Sequence, residues 1–360
     1  MIRPALCLLL VAAAARADDL RAAYTYAKRL PEDRRKAYAA EHAPRYAGTA
    51  KAEDQLYLGY LWSWAEEWKR AASSFDAYVR GATAAHPRNR ATAMVERARA
   101  LMELRAWNEV PDEVTRFRTE FPGDRHLGSM LFYLGRARRA DGRLEQALEA
   151  FREGAAAGSD LAAHEVVDAL VQLGRYGEAR QAAAALPESA RAATLLAALE
   201  RLGEPVEIRI GHWTGAPRPE SIRGTPMLLS FWTMRAGKAK DDVHAYTNAW
   251  AEAFRGKVNV VGAGLYEHFD PVTMRTVDEM PPHEEHGFVD AWHREYALRY
   301  PLVLLEDAAL HKACGVDPER PVLPCVAAVD GEGRLRYVRV VGGPWAAEAV
   351  DSMLRRLLSE

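Results

Sequence analysis

Cysteine is almost missing from this chain of 360 residues: there are three, Cys7, Cys314 and Cys325. The last two, in CGVDPERPVLPC, do not have the spacing of a paired-CxxC zinc site. Long apolar runs are missing as well. Ala5–Ala15 is too short to span a bilayer as a mature helix, and no later segment is long and apolar enough to do so. An excess of basic charge is also lacking, with 48 Lys and Arg against 50 Asp and Glu and a net charge of −2. No basic stripe stands out, so the sequence carries no electrostatic footprint for nucleic acid. Apolar residues make up 49% of the chain, enough to bury ordinary cores, and the length suggests two domains.

The first residues carry an address. Arg3 precedes the apolar segment, and Ala15-Arg16-Ala17 has the small-x-small pattern of signal peptidase cleavage. Residues 1–17 read as a secretory signal cut before Asp18; the other reading is a buried N-terminal helix. Cys7 lacks the small-residue run that precedes a lipid-modified cysteine, so a lipoprotein is not expected. Removal of Arg3 and Arg16 takes the basic count from 48 to 46 against 50 acidic residues, a net charge of −4. Cys314 and Cys325 then remain, in a secreted or periplasmic setting where disulfides form.

Two stretches of different character follow, 18–202 and 203–360. The first is rich in Ala, Arg, Glu and Leu, with apolar residues every three or four positions, as amphipathic helices require. It repeats one plan of turn, bulky residue and helix with small packing residues. The plan appears in EEWKRAASSFDAYV (66–79), RAWNEVPDEVTRF (105–117), GRLEQALEAFREG (142–154) and GRYGEARQAAAAL (174–186). The bulky positions are Trp68, Trp107, Leu144 and Tyr176, with spacings scattered around the period of paired-helix repeats. In YLGRARRADGRLEQALEAFREGAAAG, residues Leu134, Gly135, Ala147 and Phe151 stand where tetratricopeptide repeats place their large and small packing residues. The region resembles that family, with two good and two degenerate repeats. Gly and Ala leave holes that Leu, Phe and Tyr fill, which lets helices approach closely. An irregular helical bundle is the alternative.

Near Leu202-Gly203-Glu204-Pro205 the composition changes. VEIRIGHW (206–213) alternates like a strand, and MLLSFW (227–232) is the unbroken apolar run of a strand buried on both faces. Further on come a helix (243–254), a buried strand (257–266) and a second helix (284–300) begun by Pro281-Pro282. A short extended piece (301–307), a hairpin around Asp330–Gly333 and a closing helix complete the chain. The expected class is α plus α/β: a helical-repeat domain followed by a domain with a mixed sheet.

SIRGTPMLLSFWTMRAGKAKDDV, VNVVGAGLYEHFD and HKACGVDPERPVLPCVAAVDGEGRL carry a resemblance to the thioredoxin fold, in particular to exported TlpA-like redoxins. It covers about residues 205–360. The family's two redox cysteines fall on Ala236 and Ala239. Gly237 is kept, Lys238 stands where proline is common, and Arg235 replaces the Trp that usually precedes the first cysteine. The family's cis-proline falls on Pro324. In that family a helix N-terminus stabilises the attacking thiolate and the second cysteine resolves the mixed disulfide. Alanine does neither, so the resemblance implies an inherited scaffold without its dithiol chemistry.

Three features keep alternatives open. Cys325 follows Pro324, so it is a single-thiol site or sensor, an inert residue at a strand start, or one half of a disulfide with Cys314. His283, His286, Asp290 and His293 fall near one face of a helix, opposite Phe288, Val289, Trp292 and Tyr296. They form either a zinc or copper site or a solvated face. The insert 266–282 either covers the old redox face or decorates the surface. The expectation is an exported adaptor that holds a protein or peptide partner in its helical groove, with no cofactor, no nucleic acid partner and no membrane span after signal removal. The alternative is a degenerate thiol-disulfide oxidoreductase working through Cys325.

Overall fold

The computed structural model describes residues 20–48, 50–81, 87–215, 224–233, 239–270, 275–276, 280–314, 325–340 and 344–359. The chain forms two compact units, residues 1–162 and 163–360.

The first unit is built from α1 (Leu20–Lys28), α2 (Glu32–Tyr46), α3 (Gln55–Trp64), α4 (Trp68–Gly81), α5 (Pro87–Glu103), α6 (Val110–Glu120), α7 (Leu127–Ala140) and α8 (Leu144–Ala156). Helices α3 and α4, α5 and α6, and α7 and α8 form successive hairpins. One turn closes all three. Glu66, Arg105 and Gly142 sit in the left-handed region at φ 60°, 57° and 75°. In each case the next amide reaches back five residues: Glu67 to Trp62, Ala106 to Leu101, and Arg143 to Arg138. The left-handed residue itself bonds three residues back, which completes a Schellman motif and satisfies the last carbonyls of the helix. Trp68, Trp107 and Leu144 each stand two residues after that turn. They start α4, a short 3₁₀ turn ahead of α6, and α8.

Close approach of paired helices is set by glycine. A Cβ placed on Gly135 would lie 2.4 Å from the Phe151 ring, and one on Gly59 would lie 2.5 Å from the Phe75 ring. Both rings are fully buried. Gly and Phe are sixteen residues apart in both hairpins, each Gly follows a Leu, and an Ala precedes each Phe by four. The hairpin between them has Ala98 and Val114 at the same interval, both buried. Leu61, Met94, Leu101, Phe117 and Met130 continue one apolar core along these helices.

The second unit contains α9 (Asp160–Gln172), α10 (Tyr176–Ala184) and α11 (Ala190–Arg201), then the strands. Gly174, between α9 and α10, repeats the turn at φ 73°, with Arg175 bonding back to Leu170. The strands are β1 (Ile210–Thr214), β2 (Met227–Phe231), β3 (Asn259–Leu265), β4 (Phe269–Asp270), β5 (Arg275–Thr276), β6 (Leu302–Leu305), β7 (Cys325–Val329) and β8 (Leu335–Val340). Helices α12 (Ala239–Ala253), α13 (Pro282–Glu295), α14 (Ala309–Ala313) and α15 (Pro344–Leu357) lie between and after them. Among the described residues, six strands form one sheet in the order β1-β6-β3-β2-β7-β8, and β4 pairs only with β5. Strand β2 runs parallel to β3 and antiparallel to β7; β6 is parallel to β3, and β1 and β8 are antiparallel to their neighbours.

The unbroken apolar run of β2 follows from cover on both faces. Met227, Leu229 and Phe231 point to one face, where Val261, Val303, Ala327, Leu310 of α14 and Ala198 of α11 join them. Ser230 points to the other face and bonds the Thr247 hydroxyl of α12 at 3.1 Å. The stretch 206–213 is a strand only from Ile210 onward. Before it, Val206 bonds Gly333, and Gly203 and Glu204 bond Leu335, which ties the segment after α11 to the β8 edge. The short piece at 302–305 is an inner strand, between β1 and β3. Helix α9 is held to β8 by buried charge. Arg339 pairs with Glu165 at 2.6 Å and Asp168 at 2.8 Å, and Asp168 also accepts from the Tyr337 hydroxyl. No helix among the described residues is long and apolar enough to cross a membrane.

Candidate functional site

In the second unit the parallel strands β2, β3 and β6 all point their carboxyl ends the same way. Chain crossing from β2 to α12 takes place there. Ala236 and Pro324 lie outside the described residues; Ala239 is the first residue of α12. Cys325 opens β7 directly across from Phe231, the last residue of β2. The register therefore sets the start of β7 beside the carboxyl end of β2.

Trp232, next after β2, explains the glycines of VVGAGLY. Its ring lies against Gly264, where a Cβ would come within 2.8 Å of it. Gly262 is closed off by Leu302 at 2.5 Å and by Tyr300 at 3.0 Å. Trp292 meets the Trp232 ring edge-on, and His244 bonds the Tyr300 hydroxyl at 2.6 Å. This side of the sheet is a packed aromatic layer under α12 and α13.

The two thiols point the other way. Cys325 and Cys314 belong to the core on the face covered by α11 and α14, and both are 0% exposed. They are free thiols here, so the candidate disulfide is not formed in the structure. Burial pushes Cys325 up to about 12, and burial with the neighbouring Cys325 pushes Cys314 higher still. Such a thiol stays protonated at neutral pH. A thiol in apolar surroundings with so little thiolate is in the environment of an inert cysteine. His311, also buried and packed on Phe231, is pushed down to about 4 by burial.

The helix-face residues do not converge on a metal. His286 and Asp290 turn toward β1, where Asp290 bonds His212 at 3.1 Å and the two imidazoles stack. His293 bonds the Tyr300 carbonyl at 3.1 Å and packs against Gly215, while His283 is exposed. Among the described residues no three metal-ligating side chains form a group that would hold an ion. Nor is this face simply solvated: packing on β1 leaves all but His283 half-buried. Sequence reasoning missed His212 and Tyr266 as their partners. The signal available was Gly211, which breaks the alternation of VEIRIGHW. Of the insert 266–282, residues 271–274 and 277–279, and the side chains of β4 and β5, lie outside the described residues.

No known family profile matches the chain, and no curated protein is similar to it. Among solved structures it is similar to a thiol-disulfide isomerase from Corynebacterium glutamicum, at 18% identity and a TM-score of 0.33, over 44% of this chain and 97% of that one. It is also similar to a putative protein disulfide isomerase from Bacteroides thetaiotaomicron, at 15% identity, a TM-score of 0.33, and 44% and 91% coverage. A thioredoxin-like superfamily protein matches at 17% identity and a TM-score of 0.33, over 44% of this chain and 97% of its own. The strand order and directions carry the assignment: β2-α12-β3, then the β7–β8 hairpin and α15, make the second unit a thioredoxin-like domain.

Proposed function

We propose that this chain is an exported binding protein, with residues 1–17 as its signal, tetratricopeptide-like repeats as its partner-binding part, and a thioredoxin-like domain that has lost thiol-disulfide exchange. One observation carries the reading. The two cysteines left after signal removal are wholly buried on the sheet face away from α12, while the family's redox positions hold Ala236 and Ala239. The buried, raised thiol of Cys325 weighs against the oxidoreductase alternative.

A second observation supports partner binding by the helical unit. Tyr24, Tyr60 and Trp64 stack together from α1 and α3. Glu96 and Arg99 of α5 act electrostatically on both Tyr60 and Tyr133 of α7, so one half-buried aromatic and charged surface runs along the first helix of each hairpin. Aromatic and Arg side chains in such a setting are the usual anchors of a protein interface.

The test has two arms. In the first, insulin reduction with a regenerating reductant should show no turnover, and a thiol reagent should label neither cysteine of the folded protein. Turnover that matches an active thioredoxin refutes the redox-inactive part. In the second, the wild-type chain and a Tyr60→Ala/Tyr133→Ala variant are used to capture partners from an envelope extract. A partner retained by the wild type and lost by the variant is expected; equal recovery refutes the groove.

A further inference from the structure

A second group of titratable side chains stands in the thioredoxin-like unit, apart from the redox positions. The register of β1 breaks between Ile210 and His212, leaving Gly211 as a bulge. Bulges re-aim the neighbouring side chain. Here Gly211 also lets the Tyr266 hydroxyl pass: a Cβ on it would lie 2.9 Å from that oxygen. His212 lies flat on His286 of α13, with ring centroids 4.0 Å apart and planes 8° from parallel. Its Nε2 bonds Asp290 at 3.1 Å, and Nε2 of His286 bonds the Tyr266 hydroxyl at 2.7 Å.

The hydrogen bonds define the proton positions. Burial opposes ionisation of Asp290, but bonds from Thr214 and His212 outweigh it and hold its carboxyl below the usual range. An ionised Asp290 accepts, so His212 carries its proton on Nε2. Burial, then the charge of Glu285 and Glu306, keeps Tyr266 a neutral phenol. A neutral phenol donates to His286 Nε2 or accepts from it, according to that ring's tautomer. The groups facing the pair are Thr214 from β1, Tyr266 after β3, Glu306 after β6, and His283, Glu285, Asp290 and Arg294 on α13. Glu285 is fully buried, and one of its oxygens accepts the Glu267 amide at 2.6 Å. Asp290 is the carboxylate in hydrogen-bond contact with the stack.

We propose that the stacked pair His212–His286 is an acid-sensitive latch, which holds α13 on β1 while at most one ring is protonated and releases that helix when both are. One carboxylate in contact balances one imidazolium. A second proton sets two cations face to face in a partly dry site. It also fixes His286 Nε2 as a donor, so the Tyr266 oxygen accepts from it and that bond remains; the repulsion between the two rings is what loosens the helix. The sign follows from burial and from His212, which hold His286 below its ordinary value of 6.5. A depressed imidazole favours the docked state above the ordinary value and loses it as pH falls through the folded one.

The test is hydrogen exchange of the Val289–Glu295 amides in the full chain, compared at pH 7.5 and 5.0 after correction for intrinsic exchange. Wild-type protection should fall by about tenfold at the lower pH. His286→Gln keeps an oxygen for the Tyr266 proton and carries no charge; its protection should change by less than about twofold. Ring NMR of the wild type is the second measurement, with His286 titrating below the free value. Constant wild-type protection, an equal loss in His286→Gln, or a His286 ring at the ordinary value would each overturn the latch.

Discussion

Replacing Gly135 by Ala tests what sets the distance between α7 and α8. In an open helix the change is stabilising by about 1 kcal/mol, because Gly gives up more backbone freedom. Here the new methyl would lie 2.4, 2.5 and 2.9 Å from three carbons of the Phe151 ring. Carbon atoms pack best at about 3.5–4.0 Å. The ring is fully buried, so it can make room only by pushing its neighbours. Overpacking of this kind costs ~1–3 kcal/mol. Set against the propensity gain, the net change should run from none to a loss of ~2 kcal/mol. The assay is urea unfolding of the full chain followed by far-UV circular dichroism, with the transitions of the two units fitted separately. Gly287→Ala in α13 is the control: nothing lies within 4 Å of its Cβ position, so it should stabilise by about 1 kcal/mol. Phe151→Leu vacates ring volume, so Gly135→Ala with Phe151→Leu should lose at least ~1 kcal/mol less than the two single changes added together. A Gly135→Ala protein stabilised as much as the Gly287→Ala control, or strict additivity in the double variant, refutes the claim that the glycine is a hole for the ring.

Three further outcomes follow from named contacts. Arg105→Gly should stabilise the first unit by ~0.5–1 kcal/mol, since Arg105 sits at φ 57° where glycine carries no Cβ penalty; the urea midpoint reads it. Arg339→Met should destabilise the second unit by ~3–5 kcal/mol, because it leaves Glu165 and Asp168 buried without their cation. Adding Glu165→Gln and Asp168→Asn should recover part of that loss, and a failure to do so would count against the charge argument. His311 is pushed down to about 4 by burial from an ordinary 6.5, so the unfolded chain binds the extra proton between those values. Stability should be full above pH 6.5 and fall by up to ~3 kcal/mol toward pH 4. His311→Leu should remove that part of the acid sensitivity, read as the urea midpoint at the two ends of the range.

Local pattern in the sequence determined a good deal. Periodicity marked the helices, and the apolar runs at 227–232 and 257–266 marked the inner strands, because burial of a face or of both faces leaves a repeat that short windows display. Trp68, Trp107 and Leu144 pointed to where the second helix of each hairpin begins, since each follows a turn whose chemistry is local. That Ala236 and Ala239 stand where the resemblance places redox cysteines was legible, because residue identity is written in the sequence. Tertiary structure decided the rest. Leu58-Gly59 belongs with Phe75 as Leu134-Gly135 belongs with Phe151, yet the glycine and its ring lie on different helices, so no single-helix window links them. The change in composition near 202 marks where helices stop. The compact units part near Ala162, because α11 supplies Ala198 to the sheet core and Arg339 holds α9 from the far end of the chain. Cys325 reads equally well as reactive or inert until strand register shows which face of the sheet it points to. His212 and His286 are 74 positions apart in the sequence, and only the bulge at Gly211 and the docking of α13 on β1 bring their rings together. A pairing across elements depends on register and packing direction, which no window of neighbouring residues contains.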